Sequence, residues 1–155
     1  MKNTFLLLML LMNLSGCAWH GSGGSFVGEL PAETYTLNTI AQDVATHIAE
    51  GYAAGHTALT LNAPEKKAQN AFHATLENAL RQKGFALTQG KTLQLSYTID
   101  KLEDAVWYVQ IRLSDGLVFA RTYTALGIPE AGMTQHRTKE EGQPLPPQPR
   151  EGFNG

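Results

Sequence analysis

The spacing of apolar residues changes at Gly84, and that change constrains the fold more than any other feature of the chain. Before it, two windows follow a helical period. In the first, Leu37, Ile40, Ala41, Val44, Ala45, Ile48 and Ala49 recur at the steps that line one face of a helix. The spacing predicts a helix over 37–50, with Thr36 as N-cap and Gly51 as stop. In the second, Ala68, Ala71, Phe72, Thr75, Leu76, Ala79 and Leu80 form the stripe. Asn62-Ala63-Pro64 opens this helix, since proline in a first turn gives up an N–H that has no partner there. Arg81 and Lys83 complement the dipole in its last turn, and Gly84 takes the C′ position.

After Gly84 the period is two. Phe85-Ala86-Leu87 is a brief strand, and Leu93, Leu95, Tyr97 and Ile99 alternate with polar residues. Asp100 to Asp104 is expected to turn. Val106–Leu113 and Leu117–Thr124 follow as strands around Asp115-Gly116, a strong hairpin signal. Residues 57–61, TALTL, add a short strand between the helices. The predicted order is α-β-α-β-β-β-β, an α+β fold with two helices packed on one face of a small, mostly antiparallel sheet.

Both ends of the chain differ from this middle. Residues 1–16 have the layout of a cleaved signal: Lys2, the apolar run Phe5 to Met12, then small residues. The apolar run is far shorter than the roughly 20 residues that cross a bilayer. Leu14-Ser15-Gly16-Cys17 resembles the bacterial lipobox, which implies cleavage before Cys17 and a lipid on its sulfur. Cys17 is the only cysteine, so no internal disulfide exists. Residue 18 is alanine rather than the aspartate that retains lipoproteins in the inner membrane, which by analogy points to the outer membrane. Residues 17–25 then act as lipidated cysteine and Gly/Ser tether, 26–126 as the folded domain after an irregular lead-in, and 127–155 as a tail. That tail holds five of the seven prolines and few large apolar residues, and its composition predicts disorder.

Charge excludes one class of function. The chain has 12 basic and 14 acidic side chains. Cleavage removes Lys2 and no acid, which takes the formal charge from −2 to −3. A dedicated nucleic-acid binder needs a basic surface, so direct nucleic-acid contact is not expected.

No catalytic pattern emerges. His20, His47, His56, His73 and His136 show neither the i, i+4 spacing of a metal site nor HExxH, and there is no GxSxG elbow. Asp100, Glu103 and Asp104 read as a solvated turn, and lipidation consumes the only thiol. No cofactor is implied beyond the covalent lipid, and no enzyme activity is expected. One surface does attract notice. A two-residue turn at Asp115-Gly116 would set Tyr108 opposite Tyr123 and Arg112 opposite Phe119, on the face away from the helices. With Arg121 these make a candidate partner surface, because Tyr, Phe and Arg anchor protein interfaces. This depends on the register, since a slip of one residue exchanges the faces.

The layout from Phe26 to Thr124 resembles TrbH, a lipoprotein family of conjugal transfer systems. The likeness is carried by the lipobox, Ile40-Ala41-x-Asp43-Val44, Leu76-x-x-x-Leu80-Arg81-x-x-Gly84-Phe85-Ala86-Leu87, Leu95-x-Tyr97-x-Ile99-Asp100 and Arg121-x-Tyr123. The resemblance implies a structural or assembly factor at the outer membrane, within the type IV secretion apparatus that moves plasmid DNA. It implies a lipid anchor, other envelope proteins as partners, and a place for homo-oligomers inside a larger complex. It brings no catalytic residues. Two alternatives stay open: a lipoprotein that binds and activates a cell-wall enzyme, and one that binds a small ligand in an apolar pocket.

Overall fold

The structure is a computed structural model that describes residues 24–64, 70–90 and 92–137. Residues 1–23, with the expected signal segment and Cys17, and the residues after Arg137 lie outside the described residues. The elements in chain order are β1 (Phe26–Val27), α1 (Thr34–Gly51), β2 (Ala58–Leu61), α2 (Asn70–Gln82), β3 (Ala86–Leu87), β4 (Leu93–Glu103), β5 (Val106–Leu113), β6 (Leu117–Thr124) and β7 (Pro129–Arg137). A short 3₁₀ turn, Ala54–His56, precedes β2.

The strands form one sheet in the order β3-β2-β4-β5-β6-β7. β4 to β7 are antiparallel neighbours, whereas β2 runs parallel to both β3 and β4. β1 joins β4 in parallel, Phe26 opposite Thr98. The fold is therefore α+β with a mostly antiparallel sheet, as the sequence pattern predicts. Both helices press their apolar stripes on one face. Ile40, Val44 and Ile48 of α1 and Phe72, Leu76 and Leu80 of α2 meet Leu95, Tyr97, Ile99 and Ile111 in a fully buried core.

One helix end is as predicted and another is not. Gly84 has φ +91, its N–H donates to Arg81 O (2.9 Å), and Phe85 N–H donates to Leu80 O (3.1 Å). This is a Schellman cap, and only a residue free of a Cβ penalty takes that φ cheaply. Thr36 is not the N-cap. Helix α1 begins earlier, with Glu33 at the cap and no side-chain cap bond. Thr36 lies in the first turn, buried, and its hydroxyl donates to Ala125 O at 3.1 Å. Pro64 bridges Ser25 in a parallel pair.

Three further expectations are corrected. First, β4 continues to Glu103, so Asp100 sits in a strand, where its carboxylate accepts the N–H groups of Glu29 and Lys101. Second, the chain beyond Gly127 is not all tail. Residues 129–137 form β7, paired to β6 with Phe119 opposite Gln135. Composition misses it because backbone pairing along β6, not side-chain burial, holds a polar edge strand. Gly127 makes that turn possible: its φ is +78, and a Cβ there would meet Thr36 O of α1 at 2.8 Å. Third, the β5–β6 loop has three residues, Ser114 to Gly116, not two.

That third difference follows from one dihedral. A two-residue type I′ turn needs positive φ at both Asp115 and Gly116. Gly116 has φ +87, but among the described residues no residue other than glycine has positive φ. The chain therefore uses a turn with glycine alone in the left-handed region, closed by Gly116 N–H to Leu113 O (3.0 Å). Tyr108 then pairs with Thr122, Ile111 with Phe119, and Arg112 with Val118. The slip turns Phe119, Arg121 and Tyr123 toward the helices.

Candidate functional site: a polar seam under the first helix, and the surfaces around it

Where α1 crosses β6 and β7, polar side chains line up along the helix. Asp43 accepts two bonds from Arg121 Nη1 (3.0 and 2.8 Å) and one from Tyr123 Oη (2.9 Å). Its position follows from the helical step: it adjoins the buried Val44 and so faces the margin of the sheet. The Asp43 bond holds the Arg121 guanidinium protonated even more firmly than usual. Burial, reinforced by the Asp43 charge, raises the Tyr123 phenol well above its ordinary value. Arg121 Nε is buried with no hydrogen-bond partner.

One turn further along α1, His47 continues the seam. Its Nδ1 lies 3.1 Å from Glu50 Oε2 and its Nε2 3.0 Å from Gln135 Oε1 of β7. The ring stands edge-on to Phe119 at 4.5 Å between centroids. Beyond the helix end, Tyr52 Oη donates to Asp115 Oδ2 (2.7 Å) and accepts from Arg137 Nη2 (3.2 Å). Arg137 also pairs with Asp115 at 3.4 Å. Burial and the bond to Asp115 push the Tyr52 phenol up to about 12. The seam thus runs from Thr36 and Ala125 at one end to Tyr52 and Arg137 at the other. It ties the helix to the last two strands.

A second feature is a surface cleft of about 320 Å³ beside α2, lined by Leu61, His73, Glu77, Arg81, Leu87 and Thr88. His73 Nδ1 is 3.2 Å from Tyr97 Oη, and burial lowers the imidazole's pKa. Burial also raises the Tyr97 phenol. Glu77 is already paired to Arg81 at 2.6 Å. Among the described residues no three His, Cys, Asp or Glu side chains converge in the way a metal ion needs. No helix among them is long and apolar enough to cross a membrane.

The five residues of the predicted partner surface separate. Tyr108 and Arg112 do lie on the open face of the sheet, with Arg112 donating to Gln110. Phe119 and Tyr123 are in the core, 2% and 0% exposed. Arg121 is in the seam. The continuous aromatic and arginine face therefore does not exist, because the register differs by one residue. Sequence reasoning instead missed Asp43 as their partner, which neighbours them only in space.

The polar seam and its helix-on-sheet frame belong to a small α+β domain. Residues 20–138 match a family of conjugal transfer proteins. That family is described as conjugal transfer protein TrbH, and the chain belongs to it. No curated protein matches the chain. The matched span ends one residue beyond β7, so it takes in the strand that composition alone assigns to the tail. Asp43 comes from one of the TrbH-like stretches and Arg121-x-Tyr123 from another, and the fold brings the two together.

Proposed function

We propose that this chain is an outer-membrane lipoprotein, anchored through Cys17, that serves as a structural and assembly component of a conjugative type IV secretion apparatus. The observation that carries the reading is the TrbH match across the whole folded domain, residues 20–138. Two others support it. The sequence Leu14-Ser15-Gly16-Cys17 has the form of a lipidation signal, and more than one acyl chain makes anchoring stable. The polar groups under α1 are mostly engaged with each other, an arrangement suited to holding a shape rather than to turning over a substrate. In this reading the protein has no catalytic site and no cofactor beyond its lipid. It touches other envelope proteins, in one or several copies, and not the transferred DNA.

The test is purification of the intact protein from envelope membranes of a conjugating donor, with mass spectrometry of what accompanies it. Secretion-channel subunits are expected, together with loss of outer-membrane fractionation and of transfer in Cys17→Ser. Recovery of a cell-wall synthase alone, with normal transfer by cells lacking the protein, refutes the reading.

A further inference from the structure

One end of the domain carries an unusual surface. Among the described residues five large apolar side chains are exposed, and four lie there: Tyr35 (68%), Leu102 (59%), Leu126 (60%) and Ile128 (53%). The topology brings them together. Lys101 pairs with Trp107 and Trp107 with Tyr123, so the β4–β5 turn and the β6–β7 turn share one edge of the sheet. The Thr36 hydroxyl bonds Ala125 O, which sets the start of α1 against the same turn. Grouped, exposed apolar side chains of this size mark interaction sites rather than ordinary surface.

The charges around the patch select its occupant. Glu29, Glu33, Glu103 and Asp104 are all exposed at this end. The only base described among them is Lys101, already paired with Glu29 at 3.3 Å. An acidic rim repels anionic lipid, nucleic acid and the same face of a second copy. It favours a protein segment that presents apolar side chains flanked by Lys or Arg. The direction of the chain agrees. β1 runs parallel to β4, so the chain comes into it from the far end. β7 starts at this end with Pro129 and finishes at the other, where Arg137 faces Leu117. Both exits from the described domain therefore point away from the patch.

We propose that the Tyr35/Leu102/Leu126/Ile128 end, with its acidic rim, is the docking surface for a basic, amphipathic segment of another envelope protein. The inference rests on the assembly reading only for the identity of the setting. An N-terminal anchor would leave this end facing away from the membrane, toward partners.

The test uses the full mature chain and a dye-labelled amphipathic peptide of leucine and lysine, followed by fluorescence anisotropy. A leucine–glutamate peptide and phosphatidylglycerol vesicles serve as opposite-charge probes. Binding of the lysine peptide alone is expected. Glu103→Lys with Asp104→Lys should weaken it about tenfold or more, and so should Leu126→Ser with Ile128→Ser, since both charge and apolar contact are used. Glu50→Lys with Glu77→Lys, matched in charge but distant from the patch, should change it less than about twofold. Equal loss in the distant variant, equal binding of the glutamate peptide, or binding of the vesicles overturns the proposal. Peptide binding that maps to the patch, without secretion subunits in the envelope purification, leaves the surface standing and removes the conjugation setting. The converse result removes the surface alone.

Discussion

Replacing Asp43 by alanine tests whether the seam holds α1 in place. The change removes three hydrogen bonds of 2.8–3.0 Å and strands a guanidinium and a buried phenol. Stranding one member of a fully buried charged pair costs about 3–5 kcal/mol. Here the side chains of Arg121 and Asp43 are 23% and 25% exposed, so water screens part of the loss. An expected cost of about 2–3 kcal/mol allows for that screening. With a urea slope of roughly 1–3 kcal/mol/M, the unfolding midpoint should fall by about 0.7–3 M. Arg121→Met and Tyr123→Phe, added to Asp43→Ala, leave no stranded polar group and should recover most of the loss. Arg121 already has a buried Nε without a partner, which favours recovery further. A cost below about 0.5 kcal/mol for Asp43→Ala would class the pair with ordinary surface ion pairs. That result, or a triple variant less stable than the single one, would refute the reasoning.

Other consequences follow from the same packing. Gly127→Ala should cost about 1–3 kcal/mol in thermal unfolding, because φ is +78 and the new methyl meets Thr36 O at 2.8 Å; Gly55→Ala, with nothing within 4 Å, should stay within about 0.5 kcal/mol. A chain cut after Leu126 should unfold at markedly lower urea than one cut after Arg137, since it loses β7 and the Gln135 contact to His47. His73 titrates at a lower pH folded than unfolded, so the unfolded chain takes the extra proton first. Stability should therefore decline as pH falls below about 6.5, and His73→Gln should flatten that decline in a series of melting curves. At high pH the phenols act in the opposite sense. Tyr52 is raised to about 12, so its contribution is intact below about 10 and lost as pH climbs toward 12, and Tyr52→Phe should shallow the alkaline limb.

What was legible in the sequence was what local chemistry decides. The helix stripes show because burial repeats over several turns, and Gly84 shows because a Schellman cap needs glycine within its own few residues. The β5–β6 register did not show. Asp-Gly is compatible with both a two-residue and a three-residue loop, and only the backbone angle at residue 115 separates them. A difference of one residue then moved Phe119, Arg121 and Tyr123 from the open face to the helix face. β7 was hidden for another reason: Thr134, Gln135, His136 and Arg137 are exposed, and nothing apolar repeats along them. Asp43 was hidden because its partners are 78 and 80 residues away, and a lone acid beside an apolar stripe looks like the stripe's solvated border.

The register and the proposed surface are linked by an argument about where polarity can go. With Phe119 and Tyr123 inward, the helix side of β6 gains aromatic bulk but also a phenol and a guanidinium that need partners. α1 supplies one for both through Asp43, so those groups are occupied in holding the helix. The open face keeps Tyr108 beside Asp100 and Thr122 and Arg112 beside Ser96 and Val118, too dispersed to anchor a partner in the way a packed aromatic cluster does. The proposed docking surface is instead the sheet end, where Gly127 brings the β6–β7 turn close to α1 and Leu126 and Ile128 flank it in the open. The same glycine that closes the turn on the helix therefore sets the spacing of the exposed apolar pair. Gly127→Ala should loosen both, and the two effects should move together in peptide binding and in thermal stability.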